Sequence, residues 1–121
     1  MSNYFFDSYA IVEMMKANPA YERFRKERVY TTIANLAEVY YYSLRAAQVS
    51  SYRAMVMRLK PEFLQPSLAD WEAAAQFKYE NRDKRLSYVD CLGHSLAGKH
   101  GLTFLTGDAA FKGMRNVEHV K

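Results

Sequence analysis

Four acidic residues of this chain lie where its predicted segments change type. Asp7 closes a short apolar run, and Glu38 lies inside an apolar stretch. Asp90 precedes another such stretch, and Asp108 follows a strand-like segment. A carboxylate beside buried residues is costly unless it is paired, hydrogen-bonded or bound to a cation. If the fold gathers the four, they form an all-oxygen site for a hard divalent ion, which can drive phosphodiester hydrolysis.

Three of these acids also have an ordinary structural interpretation. Asp7 can be the N-cap of a helix, Asp90 the third residue of a capping pair with Ser87, and Asp108 a turn residue. Glu38 has no such alternative, because its neighbours in sequence are apolar and an unpaired carboxylate would be costly among them.

The elements that must position the acids are alternating short strands and helices. Short aromatic or β-branched runs predict five strands, at residues 3–6, 28–31, 62–65, 102–105 and 116–120. Helical spacing, capping residues and prolines predict helical segments at residues 8–17, 19–26, 32–48, from 50 or 51 to 59, 67–80 and 88–100.

Strands that alternate with helices pair in parallel through right-handed crossovers, so the predicted fold class is α/β. In such sheets, sites lie at the carboxyl ends of the strands. Asp7 and Asp108 fall just past a strand at that edge, and the helix of Asp90 should start near it. Glu38, about two turns into its helix, is expected to reach inward.

The composition narrows the class of protein. The 121 residues fit a single domain spanning 1–121, and 50% of them are apolar, which is enough for a core. No apolar run is long enough to span a membrane, and no secretory signal pattern is seen at the N-terminus. Cys91 is the single cysteine, which excludes an internal disulfide framework and favours a reducing cytoplasm.

The net charge of +4 understates how basic the surface is, since four acids are expected in one place. Basic residues cluster at 23–28 and again at 82–85. Such clusters fit a phosphate backbone, and they fit an ordinary solvated surface as well.

Four blocks carry a family resemblance: residues 5–8, 31–39, 86–92 and 101–111. In order and spacing they resemble the PIN domain, and specifically the small VapC-type toxin ribonucleases, over essentially the whole chain. Two positions depart from the pattern. Ala110 stands where many relatives carry a further acid, which puts a second metal position in doubt, and Gly107 replaces a common basic or polar residue.

The resemblance implies a three-layer α/β/α fold around a short parallel sheet of four to five strands. It also implies a Mg²⁺- or Mn²⁺-dependent endoribonuclease that acts on RNA, as the toxin of a type II toxin–antitoxin pair. A cognate antitoxin covering the site, a homodimer and a cytoplasmic location follow from the same likeness.

The site residues implied are four carboxylates and two hydroxyls. Asp7 and Asp90 are expected to bind the metal directly, and Asp108 and Glu38 directly or through water. Ser8 and Thr106 are expected to bond a carboxylate or a phosphate, or else to cap the segment that follows them.

Two other functions were weighed against the nuclease. A non-catalytic PIN-fold module that binds RNA or protein is supported by Ala110 and opposed by the four acids. A phosphorelay receiver gathers acids in a similar place, but Asp7 stands alone and no lysine follows the last confident strand. His94, on the same helical face as Asp90, is expected to pack rather than to touch substrate.

Overall fold

The computed structural model describes residues 3–121, and its centre is a five-stranded sheet in which all neighbouring strands run parallel. The strands are β1 (Tyr4–Phe6), β2 (Val29–Thr31), β3 (Glu62–Phe63), β4 (Thr103–Thr106) and β5 (Val117–His119). Their order across the sheet is β3-β2-β1-β4-β5. The five predicted strands are therefore confirmed, and β1 and β4 are neighbours whose carboxyl ends lie side by side.

Five α-helices and three short 3₁₀ segments connect these strands. The helices are α1 (Ser8–Met15), α2 (Ile33–Arg45), α3 (Val49–Leu59), α4 (Leu68–Glu80) and α5 (Tyr88–Lys99). The 3₁₀ segments are Pro19–Phe24, Arg82–Lys84 and Ala109–Phe111. The helical segment predicted at 19–26 is thus a shorter 3₁₀ turn.

The start of α3 corrects one prediction. The helix was expected to begin at Ser50 or Ser51 with a serine cap, but it begins at Val49 and its N-terminus has no side-chain cap. Ala47 adopts a left-handed conformation, with φ of 55°, which reverses the chain directly after α2. The next helix therefore starts at once, before either serine.

Alternating side chains divide the molecule into three layers. Phe6 and Leu105 pack in a core with α1, α2 and α3 on one face of the sheet. Phe5 and Phe104 pack with α4 and α5 on the other face. Because successive residues of a strand point to opposite faces, two adjacent phenylalanines supply both cores. The predicted α/β/α architecture is confirmed.

Gly93 brings α5 close to the middle of the sheet. A Cβ at this position would lie 2.8 Å from Cε1 of Phe5, so any larger residue would push the helix away. This contact fixes the helix three residues after Asp90 and so helps to position that carboxylate. Within residues 3–121, none of the helices has the length and apolar character to cross a membrane.

Candidate active site

Asp7 directly follows β1 and is buried, with 2% of its surface exposed. It occupies the N-cap position of α1, yet its side chain makes no capping hydrogen bond. Instead, Oδ2 accepts a hydrogen bond of 2.7 Å from the hydroxyl of Thr106, at the end of β4. Within the described part of the chain, no donor reaches Oδ1. Asp7 is therefore the N-cap residue, as predicted, but its side chain makes no capping bond, and one buried carboxylate oxygen has no partner among the described residues.

Burial raises the pKa of Asp7 to about 7. Burial is the largest cause of this net value; the negative charge of Asp90 and, to a smaller extent, that of Glu38 also contribute to the increase, whereas the Thr106 hydroxyl and the Ser8 amide oppose it. A buried carboxyl whose neighbours are also acidic is destabilised when it ionises. A cation beside it would reverse the balance.

Asp108 is joined to Asp7 through Thr106. The Thr106 hydroxyl that donates to Asp7 also accepts a 3.1 Å hydrogen bond from the backbone N–H of Asp108. Oδ1 of Asp108 in turn accepts from the N–H of Ala110 at 2.9 Å and caps the last 3₁₀ segment. Asp108 is thus a turn residue at the carboxyl edge of the sheet, beside the strand that holds Asp7 in place.

Asp90 lies in the first turn of α5 and forms a reciprocal capping box with Ser87. Its N–H donates to Oγ of Ser87 at 3.0 Å, and its Oδ2 accepts from the N–H of Ser87 at 3.0 Å. The predicted capping role of Asp90 is therefore confirmed, and it uses one of the two carboxylate oxygens. The box does not use Oδ1, and the charge of Asp90 acts on both Asp7 and Glu38.

Glu38 corrects an expectation, because its side chain is exposed rather than enclosed by apolar residues. Successive helix residues are turned by about 100°, so Leu36 and Val39 face the core while Glu38 lies at the rim. Partial burial still raises its pKa, a hydrogen bond from Ser8 lowers it, and Asp90 raises it. The carboxylate is anchored by that bond: Oε1 accepts from Oγ of Ser8 at 2.6 Å.

Two residues behind this contact were missed in the sequence analysis of the site. Asn35 is fully buried, and its Nδ2 donates to Oγ of Ser8 at 2.9 Å. Its Oδ1 accepts from the hydroxyl of Thr32 at 2.6 Å. A polar residue at a core-facing position of α2, three residues after a threonine cap, is the sequence signal that could have identified Asn35. The chain Thr32–Asn35–Ser8 orients Glu38.

The donor set fits a hydrated cation better than an enclosed one. Among residues 3–121, no three Asp, Glu, His or Cys side chains lie close enough together to enclose a metal ion. Mg²⁺ usually keeps several waters and needs one or two protein carboxylates. The unpartnered, buried Oδ1 of Asp7, with Asp90 and Glu38 nearby, meets that requirement.

Gly107 has a packing role that explains one departure from the family pattern. A Cβ there would lie 2.1 Å from Cε1 of Tyr9 and 2.6 Å from the carbonyl oxygen of Val120. The position is buried, so it offers no room for the basic or polar side chain that many relatives carry.

His94 and Cys91 serve the core of the domain. The ring of His94 stacks on Phe77 at 4.8 Å between centroids, and its Nε2 lies 3.2 Å from the carbonyl oxygen of Arg115. Burial lowers its pKa, which favours the neutral imidazole. Cys91 is fully buried, and burial raises the pKa of its thiol to about 11. The packing prediction for His94 agrees with the structure.

Comparison with known proteins supports the fold and identifies the family. The sequence model of the PIN domain matches residues 4–117. A toxin-antitoxin complex from Klebsiella pneumoniae has a similar chain, with a TM-score of 0.76, 15% identity, and 96% of each chain covered. VapC20 of Mycobacterium tuberculosis, a Sarcin-Ricin loop cleaving toxin, has a TM-score of 0.81 and 18% identity, over 98% of this chain and 100% of that one.

No curated protein sequence matches the chain. At identities of 15% and 18% the two solved structures show a shared fold. The match of the family model is of a different kind, because it spans residues 4–117, nearly the whole sequence, including all four acidic positions. The chain belongs to the PIN domain family.

Proposed function

We propose that this protein is an endoribonuclease that depends on Mg²⁺ or Mn²⁺. The observation that carries the proposal is the carboxylate of Asp7: it is buried, its Oδ1 has no partner among the described residues, and its pKa is raised to about 7 by burial and by Asp90. A fold without a function for this group would have paired it or replaced it. Membership of the PIN domain family supports the same reaction class.

The residues of the site have separate tasks in this proposal. Asp7 and Asp90 hold the cation, and Asp108 and Glu38 assist directly or through water. A divalent ion, when bound, supplies a water of lowered pKa and offsets negative charge on the phosphate. Thr106 fixes the rotation of the Asp7 carboxylate through its 2.7 Å hydrogen bond.

Ser8 holds Glu38 at the rim, where this carboxylate can orient a water molecule or a substrate hydroxyl. Its own position is set by Asn35, which is fully buried. This chain of hydrogen bonds holds the Glu38 carboxylate in one orientation. A catalytic group that is already oriented before the substrate binds lowers the entropic part of the activation barrier.

The biological role we propose is that of a toxin in a toxin–antitoxin pair, active in the cytoplasm as a homodimer. Two of the similar structures are a toxin-antitoxin complex and a Sarcin-Ricin loop cleaving toxin. A groove of about 530 Å³ beside α2 and α3 supports an antitoxin partner, because its wall includes Ile33 and Phe63, both exposed. Exposed apolar side chains in one region commonly mark a protein contact.

A non-catalytic module that binds RNA or protein is the second candidate. Two observations favour it: Ala110 replaces an acid that many relatives carry, and no three metal-ligating side chains cluster within residues 3–121. The unpartnered oxygen of Asp7 favours the nuclease, since a binding module has no need of a strained carboxylate.

Cleavage of a mixed-sequence single-stranded RNA tests the proposal. We expect cutting with Mg²⁺ or Mn²⁺, none with EDTA, and none by Asp7→Asn, which keeps the shape of the side chain but removes its charge. Absence of cutting, together with no metal-induced rise in melting temperature, would establish the non-catalytic alternative. A metal-induced rise without cutting would show that the site binds metal and that another RNA is needed.

A further inference from the structure

A small groove separates the end of α4 from the start of α5. It has a volume of about 270 Å³ and is lined by Ala75, Lys78, Tyr79, Arg82 and Tyr88. The first four lining residues recur at helical spacing, so they form one stripe along the last two turns of α4 and the 3₁₀ segment that follows. Tyr88 is the first residue of α5 and forms the opposite wall.

Two tyrosines in this groove are exposed, and each has a cation over its ring. Tyr79 is 64% exposed and Tyr88 is 55% exposed. The guanidinium of Arg82 lies 4.4 Å from the centroid of Tyr79, and Nζ of Lys78 lies 5.4 Å from that of Tyr88. Lys78 also donates to the carbonyl of Leu86, which ties α4 to the segment before α5. The rings are therefore held in place while much of their surface stays open.

The charge around the groove suits a phosphate backbone. Residues 78–85 contain four cationic side chains, at 78, 82, 84 and 85, and two acidic ones, at 80 and 83, which leaves a surplus of two positive charges. Glu80 is engaged elsewhere, since its Oε2 accepts from Nε2 of Gln76 on another face of α4. Aromatic rings interleaved with cations are the composition of surfaces that bind single-stranded nucleic acid.

The groove and the candidate active site share the first turn of α5. Tyr88 precedes Asp90 by two residues, and an α-helix rises about 1.5 Å per residue, so both lie in the first turn of α5. We propose that Tyr79 and Tyr88 stack bases of a single-stranded RNA, and that the cations of this groove hold its phosphates while the strand enters the site. This inference rests on the proposed ribonuclease function and adds where its substrate lies.

The chain contains a matched control on another helix. Tyr41 in α2 is 63% exposed, and the guanidinium of Arg45 lies 5.9 Å from its ring centroid. Its exposure and its cation resemble those of Tyr79, but it does not line the groove between α4 and α5. Tyr41→Ala therefore removes an exposed, cation-paired tyrosine outside the groove between α4 and α5.

The test measures binding and cleavage of one probe, a fluorescein-labelled single-stranded RNA of about 12 nucleotides. Fluorescence anisotropy in EDTA gives the Kd without cutting. We expect Tyr79→Ala and Tyr88→Ala each to weaken binding roughly 5- to 150-fold, the range expected for a lost base stack. Tyr79→Phe and Tyr88→Phe should bind like the wild type, because the ring remains, and so should Tyr41→Ala.

Two further readouts separate RNA contact from loss of structure. Arg82→Gln should reduce the slope of log Kd against log salt by about 0.7, as expected when one phosphate contact to a single strand is lost. With Mn²⁺, the two alanine variants should raise KM for the same RNA and leave kcat near that of the wild type. Melting curves check that each variant is folded.

Failure of this inference is distinguishable from failure of the proposed function. If the wild type cuts RNA while both alanine variants bind and cut like it, the groove is not the RNA path, although the nuclease stands. If the phenylalanine variants bind as weakly as the alanine variants, base stacking is also refuted. If the wild type neither binds nor cuts the probe, this inference fails, and the proposed function fails as well if Mn²⁺ does not raise the melting temperature.

Discussion

The helices α4 and α5 begin with the same local motif and use it differently. Each starts with a serine cap and an aspartate three residues later: Ser67 with Asp70, and Ser87 with Asp90. In α4 the two reciprocal hydrogen bonds measure 2.8 and 3.2 Å, and in α5 both measure 3.0 Å. By local geometry alone, the two aspartates are indistinguishable.

The difference lies in what faces the rest of each carboxylate. Oδ1 of Asp70, in α4, accepts a hydrogen bond of 2.9 Å from Nζ of Lys99, the last residue of α5. Hydrogen bonding to the Ser67 amide, followed by the Lys99 contact, lowers the pKa of Asp70 to about 2. Asp90 is instead close to another carboxylate, and the repulsion between the two helps to raise the pKa of Asp7.

The two capping boxes are therefore distinguished by what their aspartates face. The Asp70 box is complete, since Lys99 provides a cation. Asp90 instead faces like charges, and a cation from solution would relieve their mutual repulsion. Groups whose pKa values are shifted by burial and by like charge are common at functional sites, which agrees with the proposed metal site.

The largest expected effect comes from removing each aspartate in turn. Asp90→Ala and Asp70→Ala both destroy a capping box, so both should lower the melting temperature. Only Asp90→Ala should reduce metal-dependent RNA cleavage, by more than about 100-fold, since even the residues that support metal ligands contribute 10- to 100-fold. A comparable loss of cleavage in Asp70→Ala would break the distinction between the two boxes.

A smaller effect is expected on the stability of the metal-free protein. The pKa of Asp7 rises from 3.8 to about 7 on folding, so ionisation of this group destabilises the fold increasingly as pH rises through that interval. In EDTA at pH 8, Asp7→Asn should therefore raise the free energy of unfolding, by up to about 4 kcal/mol. Below pH 3.8 the carboxyl is protonated in both states, and the gain should vanish.

Thermal melts of the Asp7→Asn variant and the wild type at several pH values check this dependence. With Mn²⁺ present, the order should reverse, because the wild type gains binding energy that the variant cannot. If the variant is the less stable protein at pH 8 in EDTA, then the ionised carboxylate of Asp7 does not destabilise the fold. The main support for the metal site would then be lost.

The smallest effect is expected from Lys99→Met, which removes the cation of the complete box but keeps much of the side chain. Because Asp70 has a lowered pKa, the Lys99 contact stabilises the fold above pH 3.8 and is lost as pH falls through about 2. We expect a small decrease in melting temperature at pH 7 that shrinks with added salt, with cleavage unchanged. A loss of cleavage would mean that α4 also positions the site.

Much of the fold could be predicted from the sequence, because its determinants are local. Short aromatic or β-branched segments identified five strands, and Thr32, Ser67 and Ser87 identified three helix N-termini, since capping involves residues three apart. Alternation of strands and helices then implied a parallel sheet whose carboxyl edge carries Asp7 and Asp108. The family likewise followed from motifs and their order, and the same motifs single out the four acids as the predicted site.

The tertiary structure decided what the sequence left open, because the deciding contacts join distant residues. Asp7 and Thr106 are 99 positions apart, and Asn35 and Ser8 are 27 apart. The apolar neighbours of Glu38 in sequence predict that it is buried, but its side chain is exposed in the structure. The pairing of Asp70 with Lys99, and the unpartnered oxygen of Asp7, depend on how whole layers pack. The sequence determined where the acids stand along the chain, and packing decided that Asp70 pairs with Lys99 while Oδ1 of Asp7 has no partner among the described residues.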